Sequence, residues 1–143
     1  MGEEVLQVER PEAGCTQLTL NRPHARNALT RELRRLLTAA IDGLNGRDEA
    51  RVLILTGAGD AFCAGLDLKE IGASTSSDVF GFDDRALDPV AALRSFAGPV
   101  IAAINGPAIT GGFELALACD VLLCSRTARF ADTHARIGIM PTW

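Results

Sequence analysis

The chain has 143 residues; 48% are hydrophobic, 22% charged and 5% aromatic, and the formal net charge is −4. That apolar content is ordinary for a globular domain and offsets the entropy of ordering, which excludes a mostly disordered chain. An acidic balance and the absence of tyrosine argue against a nucleic-acid binder, which needs basic surface and stacking rings.

The acidic start Met1-Gly2-Glu3-Glu4 lacks an apolar stretch and is not expected to be a secretory signal. Leu6 stands where a myristoylation motif places Ser or Thr. Val5–Glu9 and Thr16–Leu20 read as short strands around a turn at Pro11-Glu12-Ala13-Gly14. The polar, Pro-marked stretch Asn21–Asn27 follows. Next, Leu33, Leu36, Leu37, Ala40, Ile41 and Leu44 make one helical stripe, with Thr30 as N-cap and Gly46 as stop. Arg31, Arg34 and Arg35 lie off that stripe and are expected on a solvated face.

Val52–Thr56 is a continuous apolar run, expected to be a strand covered on both faces. It leads into the tight loop Gly57-Ala58-Gly59-Asp60 and then Ala61–Glu70. The stretch Ser74–Asp84, rich in Ser, Gly and Asp, is expected to be mobile. Asp88 before Pro89 marks a helix start, with the helix running to Ala97. The charge-free stretch Ser95–Phe113 is broken repeatedly by Gly and Pro, so it reads as a buried strand, Val100–Ile104, and a glycine-rich loop rather than a membrane span. A short helix, Phe113–Ala118, and a third apolar strand, Val121–Ser125, complete an α/β alternation over a single domain. Sites in such folds sit at the carboxyl ends of strands.

Several familiar chemistries lack their residues. Phe62 stands where a dinucleotide fingerprint needs its third glycine, no Gly-Lys-Ser/Thr follows, and there is no GxSxG elbow. His24 and His134 are the only histidines, and the four cysteines form no CxxC pair, so neither a metal site nor a disulfide is expected. Reduced thiols fit a cytoplasmic protein. Cys63 has no activating neighbour in the sequence and is a poor candidate nucleophile.

What remains is two glycine-rich loops, each after an apolar strand. Backbone N–H groups from such loops can converge on one oxygen and stabilise charge there, although for the glycines alone plain turn chemistry is the better account. Glu114 adds weight to the first reading. It is the one carboxylate on a helix that is apolar on all sides, Phe113-Glu114-Leu115-Ala116-Leu117-Ala118-Cys119. A carboxylate buried there is either an acid/base group or a member of a structural hydrogen-bond network.

Four ordered blocks resemble the crotonase (enoyl-CoA hydratase/isomerase) superfamily. They are Asn21-Arg22-Pro23 with Asn27-Ala28-Leu29; Gly57-x-Gly59 through Phe62-Cys63-Ala64-Gly65-x-Asp67-Leu68; Pro99–Gly106 through Glu114-Leu115-Ala116 to Ala118-Cys119-Asp120; and Ala128-Arg129-Phe130-Ala131. The resemblance implies a spiral of β-β-α units that binds an acyl-CoA thioester, with coenzyme A arriving as part of the substrate and no separate cofactor. It implies an oxyanion hole from the backbone N–H groups of Leu66 and Gly111, and a CoA site lined by Arg22, His24, Ala25, Arg26, Ala64, Gly65, Asp67 and Leu68. Glu114 matches the first of two family glutamates. The second position, twenty residues on, is His134, a departure that leaves histidine to supply the other proton function or Glu114 to act alone.

The implied reaction is hydration of a 2-enoyl-CoA to a 3-hydroxyacyl-CoA. The alternatives are double-bond isomerisation by a single carboxylate, or acyl-CoA binding without turnover. Family members are nearly twice as long and commonly form trimers or pairs of trimers, so the chain is expected to stop short of a C-terminal helical region that carries much of the oligomer contact.

Overall fold

The computed structural model describes residues 4–73, 80–81, 83–141 and 143. The start Met1–Glu3 and most of the stretch expected to be mobile, Ser74–Asp84, lie outside the described residues. Five strands form the main sheet in the order β1 (Leu6–Glu12), β2 (Cys15–Leu20), β3 (Val52–Gly57), β4 (Val100–Ile104), β6 (Val121–Cys124). β1 and β2 are an antiparallel pair; every later pairing is parallel. Parallel neighbours need crossovers, and helices supply them. α1 (Arg31–Leu44) links β2 to β3. α2 (Leu68–Ala73) and α3 (Pro89–Ser95) lie between β3 and β4, and α4 (Gly111–Leu117) lies between β4 and β6. A second, two-stranded parallel sheet pairs β5 (Ala108–Ile109) with β7 (Phe130–Ala131), and α5 (His134–Ile137) follows.

The core lies on one face of the main sheet. Leu18, Leu55 and Ala102 are register partners across three strands and are fully buried, as are Leu33, Leu37 and Ile41 of α1. Each such leucine withdraws apolar surface from water for roughly 1.5–3 kcal/mol. Thr30 caps α1 by accepting from Leu33 N–H at 3.2 Å, and Asp88 caps α3 by accepting from Ala91 N–H at 2.8 Å.

Several expectations are corrected. β1 continues through Pro11 and Glu12 with a register shift between Glu9 and Glu12, so the turn tightens to Ala13-Gly14. α3 ends at Ser95 rather than Ala97. β3 and β4 bury alternate residues only, so they are half-covered strands, not strands sealed on both faces. β6 sits at the sheet edge, and all four of its residues are exposed. The largest departure is Arg34. It is 2% exposed, its guanidinium donating to the carbonyls of Leu87 and Phe80, and the buried face of α1 is turned towards Arg34 and Thr38 at the expense of Leu36 and Ala40. The charge-free stretch Ser95–Phe113 folds as the end of α3, β4, a loop, β5 and the start of α4.

Candidate active site

Two loops leave the carboxyl ends of β3 and β4 and interlock. Phe62 and Cys63 N–H groups donate to the Pro107 carbonyl at 3.0 and 3.1 Å, and Ile109 N–H donates to the Cys63 carbonyl at 2.9 Å. Two asparagines clamp the first loop. Asn105 donates to the carbonyls of Gly59 and Ala61, at 3.0 and 3.2 Å. Asn27, fully buried, donates to those of Ala58 and Ala61, both at 2.9 Å, and accepts from Arg22 N–H at 2.8 Å. Neither asparagine was singled out by the sequence reading. Asn27 between Arg26 and Ala28, and Asn105 before Gly106-Pro107, look like loop filler until their distant carbonyl partners are known.

The interlock brings Gly65 against Gly111. Gly65 has φ +91°, a left-handed conformation, and a β-carbon there would lie 2.9 Å from the Ile109 carbonyl oxygen and 3.3 Å from Gly111 N. Leu29 N–H donates to Gly65 O, and Asp67 N–H donates to Leu29 O, so the loop is fixed on both sides of Leu66. Among the described residues the N–H groups of Leu66 and Gly111 have no hydrogen-bond acceptor. They are neighbours: a β-carbon on Gly111 would be 3.7 Å from Leu66 N. Thr110, just before Gly111, is held at φ 51° and ψ −115°, strained for a β-branched residue. Its N–H donates to the Ala131 carbonyl at 2.8 Å and its hydroxyl meets that of Thr133 at 2.6 Å, which together maintain the strain.

Glu114 lies one turn into α4. Leu117 of that helix is 60% exposed, so α4 is not buried all round as expected; Leu115 and Ala116 are fully buried and the Glu114 side chain is mostly so. Its Oε2 is 3.3 Å from Nε2 of His134, and its Oε1 is buried with no hydrogen-bond partner among the described residues. Burial raises the Glu114 carboxyl above the usual carboxylate range. The positive potential of His134 and the Trp143 backbone N–H pull it down without cancelling that, and Asp132 adds a small upward push. On the far side of the ring, Nδ1 of His134 meets Oδ1 of Asp132 at 2.7 Å, and the same oxygen accepts from His134 N–H at 3.0 Å. The sequence reading missed Asp132, although an Asp two residues before a His is a visible signal. Trp143 closes one side, with its indole against Gly111 and the Arg34 guanidinium 5.2 Å from its ring centre. Beside His134 and Leu66 lies a cavity of about 60 Å³, lined by these two with Ala64, Thr110, Thr133 and Ile139 among others. Cys63 lies beneath the loops, its thiol pushed up to about 12 by burial, so it stays protonated at neutral pH.

The structure thus gathers Ala64, Gly65, Leu66, Gly111, Glu114 and His134. The loop Arg22–Arg26 does not present its three basic residues alike. Arg22 turns inward, donating to the Ala28 carbonyl and pairing with Asp67 at 3.0 Å, both side chains being mostly buried. His24 and Arg26 are exposed, Ala25 is half-buried, and Leu68 is exposed at the start of α2. Asp67 also accepts from Lys69 and Glu70 N–H groups. Burial pushes its carboxyl up, but the Arg22 hydrogen bond, the α2 N–H groups and the Arg22 charge outweigh this and hold it below the usual range. A depressed folded value stabilises the protein above the ordinary carboxylate range, and that contribution is lost as pH falls through the folded value. Asp67→Asn is therefore expected to cost about 1 kcal/mol at neutral pH and almost nothing in strong acid. Urea unfolding of both proteins at the two pH values checks this.

The interlocked loops at the ends of parallel strands thus place two N–H groups that have no acceptor among the described residues, Leu66 and Gly111, next to the helix that carries Glu114. The sequence over residues 10–143 matches the enoyl-CoA hydratase/isomerase family, and the chain belongs to it. Among its relatives, the Arabidopsis thaliana protein named probable enoyl-CoA hydratase 1, peroxisomal, is 43% identical over 143 residues, covering 100% of this chain and 53% of that protein. The mouse mitochondrial methylglutaconyl-CoA hydratase is 34% identical, covering 96% of this chain and 44% of its own. The crystal structure of enoyl-CoA hydratase from Bacillus anthracis superposes with a TM-score of 0.90 at 34% identity, over 97% of this chain and 54% of that one. The chain spans about half the length of the curated relatives it matches.

Proposed function

We propose that the protein acts as an enoyl-CoA hydratase, adding water across the 2,3 double bond of a 2-enoyl-CoA. The observation that carries this reading is the pair of N–H groups, Leu66 and Gly111, beside the carboxylate of Glu114; among the described residues both N–H groups and Oε1 lack a partner, while Oε2 faces a histidine. The names of the relatives support the same reading.

In this scheme the thioester oxygen accepts from Leu66 and Gly111 N–H. As water adds to C3, negative charge moves onto that oxygen as an enolate, and fixed donors stabilise it without reorganising; a single such donor is worth about 2.7–4 kcal/mol in acyl-transfer enzymes. Hydration also needs one proton removed from water and one delivered to C2. Glu114 and His134 supply both functions across their 3.3 Å separation: one takes the water proton, the other delivers the proton to C2, and the proton count of the pair is unchanged after the cycle. The cavity walls of Leu66, Ile137 and Ile139 suit the alkyl part of the substrate. His24 and Arg26 are the exposed basic groups of the loop proposed to meet the CoA phosphates, with Ala64, Gly65 and Leu68 beside the thioester and Ala25, Arg22 and Asp67 fixing the loop.

A second proton-carrying group beside Glu114 favours hydration over isomerisation, for which one carboxylate suffices. Incubation of 2-butenoyl-CoA in ¹⁸O-labelled water is expected to give 3-hydroxybutanoyl-CoA with the label at C3. A 3-enoyl-CoA giving only its 2-enoyl isomer, with no oxygen incorporated, would refute the hydratase reading.

A further inference from the structure

We propose that Asp132 is a positioning residue: it keeps the imidazole of His134 protonated at Nδ1 and so leaves a transferable proton between Nε2 and Oε2 of Glu114. The geometry is specific. Asp132 Oδ1 is 2.7 Å from Nδ1 and also accepts from the backbone N–H of the same histidine, so ring and backbone are held by one oxygen. An ionised carboxylate can only accept, which requires the hydrogen of that contact to sit on Nδ1. Nε2 then points at Oε2 at 3.3 Å. Two lone pairs do not face each other stably at that distance, so one further proton lies between them, as neutral imidazole with a carboxylic acid or as imidazolium with a carboxylate.

The proton count shows what Asp132 contributes. With it, the Asp132–His134–Glu114 set holds two protons and carries one net negative charge, and the proton at Nε2 can leave because Nδ1–H remains. Without it, Nδ1 has no anion to bond. The stable state becomes the opposite tautomer, with Nε2–H donating to an ionised Glu114. Releasing that hydrogen would produce an imidazolate, which is inaccessible near neutral pH, so the pair loses its deliverable proton. Among the described residues the groups acting on the His134–Glu114 pair are Asp132 from the turn before α5 and the Trp143 backbone N–H; the Thr133 hydroxyl is engaged with Thr110. Asp132 is itself mostly exposed, so its side chain can be changed without opening the core, and its contacts with His134 hold its carboxyl below the usual range.

The role in turnover rests on the hydratase reading; the tautomer does not, so spectra test it without substrate. In the full chain labelled with ¹⁵N-histidine, long-range ¹H–¹⁵N correlation resolves both ring nitrogens, and His24→Gln assigns the two histidines. Wild type is expected to show a protonated Nδ1. Asp132→Ser retains a short oxygen for the His134 backbone N–H but has no charge and does not reach the ring; it is expected to move the hydrogen to Nε2. Asp132→Asn retains an acceptor without the charge, and the pH at which the pair gives up its shared proton is expected to fall by about one unit. In turnover assays both variants are expected to lose at least about tenfold in kcat with KM little changed. An unprotonated Nδ1 in wild type, or the wild-type ring pattern retained in Asp132→Ser, would overturn the proposal. If the spectra change as expected and no 2-enoyl-CoA is hydrated, the hydratase reading fails and the tautomer assignment stands.

Discussion

Glu114→Gln is expected to reduce hydration of a 2-enoyl-CoA by about 10²–10⁴-fold, the usual yield of one general acid/base group, while leaving acyl-CoA binding nearly intact. Glutamine has the same shape and can still meet His134, but it neither takes nor gives a proton. The thioester contacts proposed here come from backbone N–H groups of Leu66 and Gly111, which the substitution does not touch. Affinity for a saturated acyl-CoA, measured calorimetrically, should stay within about threefold of wild type, so the loss falls on kcat rather than on KM. Wild-type turnover in the variant would remove Glu114 from the mechanism.

The same substitution should stabilise the fold. The Glu114 carboxyl is raised by burial, so in the folded protein it keeps its proton to a higher pH than in the unfolded chain. Stability attached to this group is present below the unfolded value and is lost as pH rises through the folded value. At pH above the unfolded value the protein therefore carries a cost, of retaining a proton or of burying a charge, which glutamine does not have. An increase in Tm of roughly 2–4 °C at pH 7, shrinking as the pH is lowered, is the expected signature of a site kept at the expense of stability.

How much of this was legible in the sequence depends on whether the determining partner was near in the chain. Caps are local, and Thr30 and Asp88 were readable because their acceptor oxygens serve N–H groups three residues on. The apolar runs marked β3 and β4, and the glycines between strand and helix marked the site-bearing loops. The relatives cover almost all of this chain, in keeping with the ordered blocks that suggested the family. Arg34 was misplaced because its partners, the carbonyls of Leu87 and Phe80, lie 53 and 46 residues away, and no periodicity reports them. The inward turn of Arg22 is invisible for the same reason, since Asp67 is 45 residues distant. The exposure of β6 is a property of its place at the sheet edge, and an apolar run such as Val121–Cys124 reads identically at the centre or the edge. Asp132 is a different case: its partner is two residues away, so the signal is local, and only the ring orientation that brings Nδ1 onto Oδ1 lies beyond the sequence.

Gly112→Ala is expected to be strongly damaging, costing roughly 3 kcal/mol or more and lowering Tm by about 10 °C. Gly112 is the second residue of α4, and a β-carbon there would lie 2.2 Å from the Cys63 carbonyl oxygen and 2.8 Å from both the carbonyl carbon and the β-carbon of Cys63. None of these atoms belongs to a flexible side-chain end. The Cys63 carbonyl already accepts from Ile109 N–H, so it cannot retreat without breaking the interlock of the two loops. Alanine's intrinsic helix preference over glycine, about 1 kcal/mol, offsets only part of the clash. The control is Gly72→Ala in α2, where a β-carbon would meet nothing within 4 Å and stability should rise by up to about 1 kcal/mol. Chemical denaturation of the two variants beside wild type separates steric conflict from helix propensity. The variant should also lose activity beyond its loss of stability, because any accommodation at Gly112 moves the adjacent Gly111 N–H away from Leu66 N–H, and the two must stay aimed at one oxygen for the proposed chemistry. Equal stability of Gly112→Ala and wild type would mean that the loops are not packed backbone to backbone at this point.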